Sequence, residues 1–331
     1  MTGSPQRIAG LDLLRGIAIG LVVLRHAAPD LAPGAGVVGV VMFFALSGYL
    51  ITGLLADELD RSGRIDLRRF YARRARRLLP ALLVLVAAVV AVTLFLDPLG
   101  DRGELAKTVA VALTWTGNLP FGHASDATFH LWTLATEEQF YLVWPAALLL
   151  LGRRRGLLLA AVGAAAVLVA TVVWLRADPD NAYSLPTPWT VCFVIGAAAR
   201  LHGRRVVPPP WSAPLALAGL AVLSVVPLRG HALTYLAGGP AIATLTAVLL
   251  LSWRTLTEVT HPVLRALAWL GTVSYGAYLW NYPLTLWLRP HVDHAGPLAA
   301  ILTIGAAALS WYAVERRFVA RPARTPEPAP A

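Results

Sequence analysis

Long apolar runs separated by short polar breaks organise the whole chain. Ten runs are candidates to cross a bilayer, at 12–28, 37–56, 78–96, 130–151, 156–175, 187–201, 213–227, 232–252, 264–288 and 296–315. A spanning helix needs about 20 residues, within a range of about 17–25. The sixth and seventh runs are therefore short. An eleventh stretch, 105–117, is shorter again and is expected to be a re-entrant or interfacial helix. No gap between runs could house a soluble domain, so the pattern predicts one integral domain over 1–320. In hydrocarbon a helix satisfies its own backbone groups, so the predicted fold class is all-α: a polytopic membrane protein with about ten transmembrane helices. Residues 321–331, rich in proline and alanine, are expected to form a disordered cytoplasmic tail.

Composition agrees with this pattern. The chain is 57% hydrophobic and 14% charged, against about 25% charged in soluble domains. Its net charge of +10 would suggest nucleic acid in a soluble protein. Here the basic residues sit in short loops, and their distribution orients the chain. With the N-terminus in the cytoplasm, 21 basic residues fall inside, 5 outside and 2 within the first run. Both termini are thus predicted to be cytoplasmic, in a plasma membrane, with lipid as partner and no role for nucleic acid. The first run carries Arg15, Arg25 and His26, a poor signal-peptide core, so it is expected to remain as the first span. The single cysteine, Cys192, can form neither an intrachain disulfide nor a thiolate cluster, and no metal site is predicted.

Candidate chemistry lies inside the apolar runs. Residues 130–145 read HLWTLATEEQFYLVWP and place His130, Glu137 and Glu138 in a spanning segment. Ionisable groups there cost about 2.5–3.5 kcal/mol each on insertion scales and are as a rule functional. His130 and Glu137 share a helix face, about 10 Å apart along the axis, whereas Glu138 points about 100° away and reads as structural. Arg15 and His26, eleven residues apart, also share a face, about 16 Å apart. Six arginines crowd 68–77, where Arg73/Arg76 and Arg74/Arg77 each fall on adjacent turns. Arginine forks hold phosphate well, although anchoring on anionic lipid explains such a cluster equally. Ser47 and Gly48 permit close helix contact, and no base is spaced to activate Ser47. Asn281 lies at a depth comparable to His26, and Pro283 leaves backbone polar groups there to be satisfied.

Together these segments resemble acyltransferase family 3, the membrane O-acyltransferases. Arg15 and His26 match its R-x10-H pattern. FFALSGYLIT at 43–52 is similar to its second-helix signature, and the arginines of 68–77 to its basic segment. FHLWTLATEEQFYLVWP at 129–145 and GTVSYGAYLWNYPL at 271–284 resemble two further motifs. The family often has histidine where Asn281 stands. Asparagine can hydrogen-bond but cannot exchange a proton near neutral pH. The position then either orients a substrate or His26, or has lost acid–base chemistry.

The resemblance implies transfer of an acyl group, expected to be acetyl, from acyl-CoA to a hydroxyl. The acceptor would be a carbohydrate, glycolipid or secondary metabolite. Arg15, Arg73, Arg74, Arg76 and Arg77 would hold the CoA phosphates. His26 would be general base, with Glu137 orienting it or holding the acceptor. His130 and Asn281 would position substrate or stabilise the oxyanion. The resemblance is to the stand-alone type, without an extracytoplasmic hydrolase-like domain. Transport of an organic anion or glycoconjugate, and a non-catalytic family member, are the alternatives.

Overall fold

The computed structural model describes residues 8–119 and 124–319. The expected tail at 321–331, and the loop arginines Arg7, Arg321 and Arg324, lie outside the described residues. Every regular element among the described residues is helical. The main helices are α1 (Ala9–Ala27), α2 (Ala35–Ser62), α3 (Leu67–Phe95), α4 (Leu105–Thr114), α5 (Trp132–Trp174), α6 (Thr190–His202), α7 (Ser212–Val225), α8 (Gly239–Trp253), α9 (Pro262–Thr272), α10 (Ser274–Leu288) and α11 (Ala295–Ser310).

Helix boundaries follow local chemistry. The Asp66 side chain accepts a hydrogen bond from the Arg69 N–H and caps α3, fixing where the arginine-rich first turns begin. Gly63, at φ +67°, ends α2. Gly152 (φ +70°, ψ 173°) breaks α5 into two arms, close to the boundary expected between the runs at 130–151 and 156–175. One expected run is divided: 264–288 becomes α9 and α10, joined at Val273. Helix α4 has only 10 residues and cannot cross a bilayer. Among the described residues, five helical stretches are long and apolar enough to do so: 35–62, 67–95, 126–174, 234–253 and 295–318. Leu83, Leu142, Val143, Leu158, Leu215 and Ile301 are exposed along the helices. An exterior of that kind suits lipid rather than water, and the chain is a membrane protein.

Helix α2 is central. It packs on α1, α6 and α8, while α1 packs in turn on α9, α10 and α11. The two tightest crossings need glycine. A side chain at Gly48 would meet the Phe193 carbonyl at 2.1 Å, and one at Gly196 the Ala45 carbonyl at 2.0 Å, so α2 and α6 touch backbone to backbone. Gly16 and Gly271 join α1 to α9 in the same way. The core around these crossings holds Leu14, Ile19, Met42, Phe44 and Phe193. Cys192 is buried within it as a free thiol.

Prolines inside the helices leave carbonyls without their usual donors. Two of these are met by side chains from other helices. Pro283 frees the Leu279 carbonyl, which lies 3.2 Å from His130 Nε2. Pro145 frees the Tyr141 carbonyl, and the Tyr71 hydroxyl donates to it at 3.2 Å.

Candidate active site

Helices α1, α5 and α10 turn polar stripes toward two cavities that α2 also lines. Each stripe follows helical spacing: Arg15 and His26 on α1, Ser274, Asn281 and Thr285 on α10, and His130, Thr133 and Glu137 where a 3-10 turn at Asp126–Leu131 leads into α5. Ser125 starts that turn by accepting the Ala127 N–H.

The first cavity, of about 140 Å³, is lined by Arg15, Arg74, Arg77, Glu137, Ser47 and Tyr141 among others. The Arg74 guanidinium lies 3.4 Å above the Tyr141 ring and donates to Glu138 at 3.0 Å, with its Nε unpaired. The Tyr141 hydroxyl donates to Glu137 at 3.2 Å. Arg15 pairs with Asp12 at 3.6 Å. Arg77 stands exposed at the rim. Glu138 is thus the partner of a cation, as its separate helix face suggested. Of the five arginines expected to hold phosphate, Arg15, Arg74 and Arg77 line this cavity. Arg73 turns to Glu58 at 3.7 Å, and Arg76 donates to the Ala72 carbonyl of its own helix. At adjacent turns the two pairs cannot all face one cavity.

The second cavity, of about 200 Å³, holds His26, His130 and Asn281. Asn281, 1% exposed, joins two helices to its own. Its Oδ1 lies 2.5 Å from His26 Nδ1, and its Nδ2 donates to Thr303 Oγ1 of α11 at 3.2 Å. An oxygen at that position requires the proton on His26 Nδ1. The neutral imidazole then carries its free lone pair on Nε2. The Tyr282 ring sits 5.3 Å from the rings of both His26 and His130.

The two cavities adjoin. Val40, Thr133 and Tyr278 line both. The Tyr278 hydroxyl donates to the His130 carbonyl at 2.7 Å and lies 2.5 Å from Thr133 Oγ1, so this wall is itself hydrogen-bonded.

These placements differ in part from the sequence expectation. His130 and Glu137 share a face but line different cavities, and Glu137 does not line the one that holds His26. The group that orients His26 is Asn281. His130 commits Nε2 to the carbonyl freed by Pro283; a neutral ring so bonded offers an acceptor, not a donor, at Nδ1. Sequence reasoning passed over Tyr278, Tyr282, Arg25, Arg229 and Arg289, all on the second cavity. The signal was there for the arginines: they run against the inward bias of basic charge.

The fold and site define a many-helix membrane protein in which an arginine-lined and a histidine-lined cavity lie back to back. Residues 8–315 match the model of an acyltransferase domain, and the chain belongs to that family, acyltransferase family 3. It is 30% identical to peptidoglycan O-acetyltransferase OatA of Listeria monocytogenes over 92% of this chain and 54% of that protein. It is 32% identical to the putative peptidoglycan O-acetyltransferase YrhL of Bacillus subtilis over 93% of this chain and 54% of that one. O-acetyltransferase OatA of Staphylococcus aureus is 39% identical over 43% of this chain and 25% of its own length. The chain therefore spans about half the length of the first two relatives. No solved structure matches it.

Proposed function

We propose that the chain is a multi-pass O-acyltransferase of the plasma membrane that moves an acetyl group from cytosolic acetyl-CoA to a hydroxyl of a carbohydrate acceptor. Peptidoglycan is the acceptor that the names of its relatives suggest. The observation that carries the reading is the pair of adjoining cavities, with Arg15, Arg74 and Arg77 in one and His26 in the other. The bias of arginine toward one side supports ten spans with both termini cytoplasmic. It turns the arginine cavity to the cytosol, where acyl-CoA is found.

In this reading Arg77 and Arg15 bind CoA phosphates by charge-assisted hydrogen bonds. Arg74, held flat on Tyr141 and tied to Glu138, shapes the mouth. The pantetheine arm lies in the arginine cavity, with the thioester at the wall formed by Val40, Thr133 and Tyr278. The acceptor hydroxyl donates to His26 Nε2. As its oxygen attacks the thioester carbonyl, its proton passes to Nε2, and Asn281 Oδ1 keeps the imidazolium in place through Nδ1–H. The tetrahedral intermediate collapses with loss of the CoA thiolate, which takes the proton back from Nε2. The products are an acetyl ester and free CoA thiol. Ester and thioester have exchanged partners with no oxidant or metal required by the balance.

The test is transfer of label from radioactive acetyl-CoA to peptidoglycan fragments by the purified protein in vesicles, with ester formation checked by mass spectrometry. His26→Ala protein that stays monodisperse should lose transfer by about 10²-fold or more, the scale of a positioned base. Undiminished transfer by that variant would overturn the assignment. Movement of the glycan without loss of thioester would point instead to transport.

A further inference from the structure

The histidine cavity has an unusual balance of charge. Three arginines line it, Arg25, Arg229 and Arg289, and among the described residues its lining contains no carboxylate. They come from three separate elements: the end of α1, the turn after α7 and the residue that closes α10. Arg229 is partly answered. Asp180 accepts two hydrogen bonds from it, at 2.8 and 3.0 Å, which raise its already high pKa, and it stacks on Tyr183 at 4.7 Å. Arg25 and Arg289 make no ion pair among the described residues, yet both lie near enough to His26 for their fields to reach it.

Chance placement is a poor account of this. Arginine is scarce on the side of the membrane where these three stand in the predicted topology, because charge bias keeps it inside. Lipid anchoring would turn the side chains outward, away from the bundle, whereas all three border one polar cavity beside the candidate base. A site with cations and no acid is matched by oxygen anions, for which the guanidinium fork is well suited. Phe129, Trp132 and Tyr282 add flat apolar faces to the same cavity, of the kind that pack against a sugar ring.

We propose that this cavity selects acceptors that carry an anionic group, a carboxylate or a phosphate, beside the hydroxyl that is acylated. Arg25 and Arg289 bind that group, and Arg229, fixed by Asp180, bounds its position. The inference rests on reading this cavity as the acceptor site. It adds a substrate class that neither family membership nor the names of the relatives specify.

The experiment measures binding apart from transfer. Full-length protein in detergent is titrated at about 0.15 M salt, where distant surface charges are screened, with quenching of tryptophan fluorescence as readout. Four probes are used: the disaccharide of N-acetylglucosamine and N-acetylmuramic acid, the same disaccharide with its lactyl carboxylate converted to an amide, N-acetylglucosamine 1-phosphate, and N-acetylglucosamine. The charged member of at least one pair should bind tenfold or more tighter than its neutral counterpart. Preference in the first pair identifies a carboxylate, in the second a phosphate, and in both a general anion site. Arg25→Gln and Arg289→Gln should each erode the preference, whereas Arg289→Lys, which keeps the charge, should retain most of it. Equal binding of charged and neutral probes by the wild type would overturn the proposal, as would a preference untouched by both glutamine variants. Labelled acetyl transfer is followed on the same samples. Preference without transfer would sink the acyltransferase reading and leave only the anion-binding site standing; transfer without preference would sink the anion site and leave that reading standing.

Discussion

Asn281 Oδ1 lies 2.5 Å from His26 Nδ1, across 255 residues of sequence, and thereby decides which nitrogen of the histidine faces the cavity. A positioning residue of this kind acts on rate rather than on binding. Asn281→Ala should lower kcat for acetyl transfer by about 10-fold to 100-fold, part of what a positioned base contributes, with KM for both substrates nearly unchanged. Asn281→Asp, which still offers an oxygen to Nδ1–H, should recover much of the loss. Steady-state kinetics on the two variants check this, and an unaltered kcat in Asn281→Ala would refute it.

The arginines at 73–77 should separate into two kinds. Arg77→Gln should raise KM for acetyl-CoA by about 10-fold, in line with about 1.5–3 kcal/mol for a hydrogen bond to a charged group. Arg73→Gln and Arg76→Gln should change it less than twofold, because one pairs with Glu58 and the other with its own helix backbone. Donor titrations at saturating acceptor decide the matter. Equal effects of all three would mean that the cluster acts as a diffuse field.

Tyr278 should set the length of the acyl group. Its ring and hydroxyl, bonded to the His130 carbonyl and close to Thr133, occupy the wall between the cavities. Tyr278→Ala should improve use of butyryl-CoA relative to acetyl-CoA by about 10-fold or more, as removal of a buried aromatic ring opens space of that order. Competition between the two donors, read by mass spectrometry, provides the ratio. An unchanged ratio would place the acyl group elsewhere.

His130 and Pro283 should be coupled in stability. His130→Ala leaves the Leu279 carbonyl buried without a donor, at a cost of about 1–3 kcal/mol. Pro283→Ala restores a backbone N–H to that carbonyl, so in its background the His130 substitution should cost measurably less. Denaturation of the four proteins of the cycle in detergent would test this; strict additivity would contradict it.

These residues also mark how far sequence reaches. The eleven-residue spacing of Arg15 and His26, and the seven of His130 and Glu137, reveal which residues share a helix face, because helical geometry is local. They do not reveal what each face meets. Glu137 was a natural partner for His26 by depth, yet it lines the arginine cavity and accepts from Tyr141, one turn along its own helix. The proline at 283 announced an unpaired carbonyl without naming the donor, since His130 arrives from a segment 149 residues away. Of the paired arginines, spacing identified both couples, but only the seating of α3 against its neighbours selects Arg74 and Arg77. The convergence of Arg25, Arg229 and Arg289 has no local pattern at all.

The wall of Val40, Thr133 and Tyr278 has a consequence for the cell as well as for the reaction. A carrier that takes a large molecule across a bilayer must open to each side in turn, and each opening risks a leak of protons and ions. On the proposed assignment of donor and acceptor to the two cavities, three side chains stand between them, and only a two-carbon fragment has to pass. In that proposed function coenzyme and glycan each come and go from its own side, and the membrane need never be breached to let the acetyl group through.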